Sequence, residues 1–162
     1  MKKIYFLSLS LVMLSAFSCS SDDSSTEKEV IVIQQNKEWV PQKVELVSSL
    51  FPYSFDYPHA EGCDKDYIKL MENSAAKLYE HADTTCAVTE SSQIWNRNGN
   101  QISFSLMGNQ VSGNVVLENE NQLIIESQVS QYSAYIQEFY PEYAQYLPML
   151  GNANAKLTLN KR

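Results

Sequence analysis

Short runs in which apolar and polar residues alternate, separated by Asn and Gly, direct this chain most strongly toward β structure. The clearest case is the pair of runs at residues 92–97 and 101–106, which flank Asn98-Gly99. Because both turn residues tolerate a positive φ, Asn-Gly between two alternating runs predicts a β-hairpin with a tight turn. At least one antiparallel strand pair is therefore specified locally.

Similar alternation predicts further strands along the chain. Several of the runs come in pairs around a short polar turn, as successive hairpins of one antiparallel sheet would. The predicted strands are residues 39–47, 67–71, 76–79, 92–97, 101–106, 115–117, 123–126 and 155–160, with further turns or bulges at Gly108-Asn109 and Gly113-Asn114.

One segment departs from this period. Residues 130–150 carry aromatic and aliphatic side chains three or four positions apart, as one face of an amphipathic helix requires. Pro141 lies within the segment, so we expect a kink or two short helices that separate near Tyr140. About nine short strands with one late helical insertion predict an all-β fold, a small antiparallel up-and-down barrel that is closed or nearly closed.

Residues 1–18 predict a cleaved export signal. Lys2 and Lys3 precede an apolar and Ser-containing run at 4–17, which is too short to span a bilayer comfortably and matches a signal peptide. Cys19 follows this signal. The order resembles the lipobox of bacterial lipoproteins, in which the peptidase cleaves before a Cys whose thiol carries diacylglycerol. The resemblance implies lipidation at Cys19; the alternative is an ordinary secretory signal that ends in Cys.

Residues 19–35 are predicted to form a lipidated polar tether to a folded domain at 36–162. Residues 20–25 are small, polar and acidic, with no apolar side chain to join a core. They resemble the Ser/Asp-rich signal that sends Bacteroidota-type lipoproteins to the outer face of the outer membrane. The resemblance implies a lipid-anchored outer-membrane protein, with the cell surface and the periplasmic face both left open.

The charge of the chain excludes some partners. Cleavage removes Lys2 and Lys3 and moves the formal net charge from −7 to −9. Nucleic acids require clustered Lys and Arg, and the nearest approach to a basic patch is Lys156, Lys161 and Arg162. We therefore expect no nucleic-acid partner, and we expect the membrane to be contacted through the N-terminal lipid.

Two cysteines remain once Cys19 is lipidated. An even pair in an exported, oxidising compartment predicts a disulfide between Cys63 and Cys86. Two free thiols or a metal pair are the alternatives. A metal site is disfavoured, because neither Cys lies in a CxxC motif and His59 and His81 are the only histidines.

The order of these features resembles the small lipocalin-like domains of Bacteroidota-type lipoproteins. The resemblance implies a barrel with an internal cavity, and the wider lipocalin family binds small apolar ligands in such a cavity. It covers residues 36–162 and is carried by Lys37-Glu38-Trp39, residues 63–68, Cys86, Ile94-Trp95, Asn98-Gly99-Asn100, Leu123-Ile124-Ile125 and residues 157–162.

Two candidate sites follow. Lipocalins often stack an Arg over the first-strand Trp, which implies that Arg162 or Lys161 closes the barrel over Trp39 through a cation–π contact. The alternative is a buried Trp39 beside a frayed C-terminus. The aromatic stripe of the helical insertion could instead form a ligand lid, a sugar-stacking surface or a helix packed on the barrel. The lid residues would be Tyr132, Tyr135, Phe139 and Tyr143.

Signatures of enzymes are missing from the sequence. The chain has no Gly-x-Ser-x-Gly motif, no His-rich metal motif and no phosphate-binding Gly loop among its 5 glycines. The acidic stretch at 56–66 has no fixed calcium-ligand spacing. We therefore expect no catalytic activity, no metal and no cofactor.

Two functions stay open. The first is a lipid-anchored binding module of the cell envelope that holds a small apolar ligand in the barrel. The second is a protein-interaction or enzyme-inhibitor lipoprotein with a packed barrel. The interior distinguishes them, because a ligand needs a roomy apolar cavity, whereas a packed interior with an exposed aromatic patch favours a partner protein.

Overall fold

The computed structural model describes residues 36–48, 52–82, 84–150 and 152–162. The predicted signal peptide, Cys19 and the tether up to residue 35 lie outside these ranges. The described residues form one antiparallel sheet with two short helices late in the chain. The elements are β1 (Glu38–Val47), β2 (Ser54–Asp56), β3 (Tyr67–Leu70), β4 (Ala75–His81), β5 (Val88–Ile94), β6 (Asn96–Asn98), β7 (Gln101–Leu106), β8 (Asn109–Glu118), β9 (Gln122–Gln128), α1 (Ser133–Phe139), α2 (Leu147–Leu150) and β10 (Asn154–Lys161).

The strands follow one another across the sheet in the order β5-β4-β3-β1-β10-β9-β8-β7-β6. β2 and β3 share one position, because both pair with the edge of β1 that faces away from β10. β5 and β6 lie at the two ends of this order, although only Trp95 separates them along the chain. The sheet is thus an up-and-down meander whose last strand pairs with its first. The predicted all-β antiparallel fold with a late helical insertion is confirmed.

Hydrogen bonds do not close this sheet into a barrel. β5 pairs with β4, whereas β6 pairs with β7 over three residues. The chain changes partner at Trp95, whose backbone N–H donates to the Ser74 carbonyl and whose indole N–H donates to the Met71 carbonyl, both at 2.9 Å. Within the described residues the second edge of β5 carries no strand ladder, so the barrel is more open than the sequence led us to expect.

Alternation places apolar side chains inside and explains most of the strands. Along β9, Leu123 and Ile125 are fully buried, while Gln122 before them and Ile124 between them are half-buried on the other face. The predicted hairpin forms, but Asn98 pairs with Gln101, so its two-residue turn is Gly99-Asn100, with Gly99 at φ 58°. The hairpin of β3 and β4 is also confirmed.

Gly113-Asn114 lies inside β8 rather than at a turn, which corrects the sequence-based expectation. A Cβ atom on Gly113 would lie 2.4 Å from the backbone oxygen of Glu126 on β9. The glycine therefore permits a close approach of the two strands. The irregularity of β8 lies instead between Val115 and Leu117.

The helical insertion divides as Pro141 predicts. A 3₁₀ turn, Val129–Tyr132, leads into α1, which ends at Phe139. The next residue, Tyr140, leaves the helical conformation (φ −138°, ψ 56°). A second 3₁₀ turn, Pro141–Tyr146, leads into α2. Val129, Ile136 and Leu150 are buried in the continuous core of the sheet. Among the described residues, no helix has the length and apolarity needed to cross a membrane.

The two ends of the domain carry different parts. At one end, which we call the base, the backbone N–H of Asn36 donates to Leu70 at 2.8 Å and that of Arg162 donates to Glu38 at 3.0 Å. At the other end, Val47 pairs with Asn154, the first residue of β10. Because the insertion lies between β9 and β10, it covers this second end.

Candidate functional site

Side chains fill the interior of the curled sheet. Trp39, Ile68, Phe104 and Leu157 are almost fully buried in one continuous core. Two apolar cavities beneath the insertion measure about 20 and 10 Å³. A water molecule needs about 10–15 Å³, whereas sites for small organic ligands occupy roughly 300–1,000 Å³. Neither cavity has room for an apolar ligand.

A larger concavity of about 390 Å³ lies on the outer face of the sheet. Amide and hydroxyl side chains line it, among them Asn114, Gln128 and Gln131. The side chain of Gln131 is occupied, since it accepts from the N–H of Ser112 at 2.7 Å and donates to its carbonyl at 2.8 Å. This polar surface lacks the apolar lining that an apolar ligand requires.

Aromatic side chains cluster over the end of the sheet that the insertion covers. The ring of Phe55 lies 5.0 Å from that of Tyr140 and 5.3 Å from that of Tyr143, between ring centroids. The rings of Tyr53 and Tyr143 are 4.9 Å apart. These spacings fall in the favourable range for tilted and edge-to-face aromatic pairs. We call this cluster the aromatic cap; its members are Tyr53, Phe55, Tyr135, Phe139, Tyr140 and Tyr143.

A single carbonyl group anchors the cap to β2. The hydroxyls of Tyr135 and Tyr140 both donate to the backbone oxygen of Asp56, at 2.5 and 2.6 Å. Beside them, the Tyr132 hydroxyl and Ser127 Oγ are hydrogen bonded at 2.8 Å. Burial raises the pKa of Tyr132 to about 12 and also raises the pKa of Tyr135. Both hydroxyls therefore stay protonated at neutral pH, and the hydroxyl of Tyr135 keeps its hydrogen bond from the cap to β2.

The four predicted lid residues all lie at this end of the sheet. Tyr132 and Tyr135 are buried, Tyr143 is half-buried and Phe139 is 36 % exposed. Tyr132 and Tyr135 border the 20 Å³ cavity and fill the space that a ligand would need. Their arrangement is that of a plug packed on the core.

The outward side of the insertion is both apolar and acidic. On the insertion, Met149 is 71 % exposed and Phe139 is 36 % exposed. Tyr53, which precedes β2 and contacts Tyr143 of the insertion, is 39 % exposed. Glu138 and Glu142 are the only charged residues from Val129 to Leu150. Exposed aromatic and methionine side chains next to carboxylates are suited to contact another macromolecule.

Arg162 does not lie over Trp39, which corrects the predicted closure of the barrel. The cation nearest the buried Trp39 ring is Lys37, with Nζ 5.6 Å from the centroid. Arg162 instead stacks 4.0 Å over Tyr67 and pairs with Glu38 at 3.4 Å. Because Arg162 lies one position beyond the strand partner of Trp39, alternation turns its side chain to the outer face.

Cys63 and Cys86 form the predicted disulfide, with their Cα atoms 5.3 Å apart. The bridge ties the loop at 57–66, between β2 and β3, to the residues that precede β5. This loop is therefore held covalently at one end, while its other end continues directly from β2.

A buried polar cluster beneath this loop was not predicted from the sequence. Nδ1 of His59 accepts the backbone N–H of Asp66 at 3.1 Å, so its Nε2 donates to the Pro41 carbonyl at 2.8 Å. Oδ1 of Asp66 accepts the backbone N–H of His81 at 2.8 Å and lies 3.1 Å from its Nδ1. No spacing motif marks these residues, because only the fold of the loop onto β4 brings them together.

The hydrogen bonds of this cluster hold the loop against β1 and β4. Burial lowers the pKa of His59 and raises that of Tyr57, so both side chains are neutral at physiological pH. Asp66 is buried and its hydrogen bonds are made within the protein. Across the described ranges, no group of three or more His, Cys, Asp or Glu side chains is placed to hold a metal ion.

Comparison with known proteins finds no match: no protein-family model, no curated protein and no solved structure is significantly similar to this chain. The lipocalin-like resemblance therefore stays a prediction. The function has to be argued from the geometry of the domain itself.

Proposed function

We propose that this chain is a lipid-anchored interaction module of the cell envelope that binds a partner protein through the aromatic cap. The observation that carries the proposal is a filled interior beneath an exposed aromatic surface. Since the internal cavities reach only about 20 Å³, apolar recognition has to take place on the outside.

The chemistry of the cap indicates what kind of surface would bind it. Tyr53 and Phe139 of the cap, together with Met149 of α2, offer exposed aromatic and apolar area, and such residues are enriched at the cores of protein interfaces. Glu138 and Glu142 add negative charge, with no Lys or Arg in the insertion to offset it. A partner with an apolar patch and a rim of Lys or Arg would be complementary in both respects.

Binding at the cap is testable by site-specific photo-crosslinking in cells. We expect a photoreactive residue at position 139 to form one discrete protein adduct, because this side chain lies at the exposed edge of the cap. The pair Tyr53→Ser and Met149→Ser should lower the adduct yield about tenfold or more, since truncating a hot-spot side chain of an interface costs about 2 kcal/mol or more.

The matched control places the same photoreactive residue at Asn119, which is exposed near the base. Equal adducts from positions 119 and 139, or no effect of the two Ser substitutions, would contradict binding at the cap. The apolar-ligand hypothesis is tested in parallel: a small molecule retained in native mass spectra of protein purified without detergent would favour it instead.

The lipid anchor is part of the proposal and rests on the order of a basic start, an apolar run and Cys19. We expect labelled palmitate to enter the wild type and to be lost from Cys19→Ala, because the proposed acylation requires this thiol. The variant Cys63→Ala/Cys86→Ala should keep the label, as these cysteines are bonded to each other. Equal labelling of wild type and Cys19→Ala would disprove the anchor.

A further inference from the structure

We propose that His59 is a pH-sensitive latch: its protonation releases the loop at 57–66 and, through β2, loosens the aromatic cap. The consequence for partner binding rests on the function proposed above. The coupling between His59 and the cap does not, since it follows from contacts within this domain.

The hydrogen bonds of His59 require a neutral ring. Nδ1 accepts a hydrogen bond from the backbone N–H of Asp66 and Nε2–H donates a hydrogen bond to the Pro41 carbonyl, so each nitrogen has a fixed role. A second proton would have to sit on Nδ1, where it would face the Asp66 N–H at 3.1 Å. Two donors then point at each other, and a half-buried backbone N–H loses its acceptor.

The groups around His59 shift its pKa in opposite directions. Burial is the strongest influence and lowers the pKa of His59 below its ordinary value of 6.5, and Lys65 and His81 act in the same direction. The Asp66 carboxylate and the Pro41 carbonyl oppose them. Tyr57, whose ring is tilted by 50° against that of His59, is neutral.

The lowered pKa sets the direction of the pH effect. The folded state takes up a proton less readily than the unfolded chain, so the latch contributes its full stability above pH 6.5. This contribution is lost progressively as the pH falls below 6.5 toward the lower pKa of the folded state. Acid, not alkali, opens the latch.

A short path leads from His59 to the cap. The rings of His59 and Tyr57 are 4.7 Å apart, and Tyr57 borders the same small cavity as Tyr135. The residue before Tyr57 is Asp56, whose carbonyl accepts the hydroxyls of Tyr135 and Tyr140. Because Tyr57 directly follows Asp56, the last residue of β2, a shift of Tyr57 also moves the Asp56 carbonyl group.

The disulfide determines which end of the loop can move. Cys63 is bonded to Cys86, so the part of the loop near β3 stays in place when the His59 contacts break. Movement is left to the part of the loop that joins β2. The latch therefore acts on the strand that carries the anchor of the cap.

The test compares three variants of the full mature protein in detergent between pH 7.5 and pH 5. In the wild type, hydrogen-exchange protection factors of the Asp66 and Tyr140 amides should fall together, by at most about tenfold per pH unit because one proton is taken up. His59→Gln should keep both factors constant, since its amide supplies one donor and one acceptor and does not titrate. His81→Gln, the control, should also lose protection at both amides in acid, with a midpoint at higher pH because His81 no longer lowers the pKa of His59.

Nuclear magnetic resonance of the His59 ring in the wild type gives a second measurement that needs no variant. Its titration midpoint should coincide with the loss of protection at Tyr140. The latch is disproved if His59→Gln responds to acid like the wild type, if Tyr140 stays protected while Asp66 opens, or if the midpoints differ. Because no partner is present, these outcomes are independent of whether the cap binds a protein.

Discussion

Replacing both Cys63 and Cys86 with serine is expected to lower the free energy of unfolding by about 3 kcal/mol. The bridge joins residues 23 positions apart and fixes the loop at 57–66 against the residues before β5. Without it, the unfolded chain gains the entropy of an open loop of this length. Since small domains have a total stability of roughly 5–15 kcal/mol, the loss is a large fraction.

Urea denaturation of the wild type and of Cys63→Ser/Cys86→Ser measures this difference. Wild type treated with a reducing agent serves as the control and should unfold like the double variant. An unchanged denaturation midpoint in both would show that the bridge does not contribute to stability.

Replacing Ile136 with alanine is expected to cost about 2–5 kcal/mol and to detach the cap from the sheet. Ile136 is 0 % exposed and, with Tyr135, is one of the two residues of α1 buried in the core, so its truncation leaves a cavity under the insertion. The near-ultraviolet circular dichroism of the cap tyrosines should weaken, while the far-ultraviolet signal of the strands should persist.

Gln137→Ala is the matched control, since this residue is exposed on the same helix and its substitution should change stability by less than about 0.5 kcal/mol. Equal stability of the two variants would show that α1 is not held by Ile136. A loss of stability without any change in the tyrosine signal would show that the cap is fixed from β2 alone.

The parts of the fold that the sequence predicts are those with local causes. The hairpin of β6 and β7 forms where it is predicted because Gly99 takes the positive φ that a two-residue turn requires. Pro141 divides the insertion near Tyr140 because the missing N–H and the fixed φ act within one helical turn. These signals need no knowledge of the rest of the chain.

Features that depend on distant strands could not be predicted in this way. Gly113 indicates a turn when considered alone, yet the close backbone of β9 explains why a glycine is needed inside β8. β2 is too short to show alternation and forms because β1 offers an unpaired edge. Trp95 lies in the run at 92–97, which the sequence predicts as a single strand, so the change of partner from β4 to β7 was not predicted.

In the candidate site, too, the features with local causes were predicted and those that depend on distant residues were not. The aromatic spacing of Tyr132, Tyr135 and Phe139 correctly indicates a face that packs on the sheet, but it does not tell a lid from a plug. The volume left under the face decides this, and that volume depends on core residues from other strands. The contact between His59 and Asp66 is likewise set by the path of a loop, which no local pattern encodes.

The course of β1 places the proposed tether and the cap at opposite ends of the domain. Its ten residues run from the base toward the insertion, and a strand rises about 3.3 Å per residue, so the two ends of β1 lie roughly 30 Å apart. With the lipid at Cys19, as proposed, the tether joins the domain at the base, next to Asn36. The membrane anchor and a partner bound at the cap would therefore not compete for the same end of the sheet.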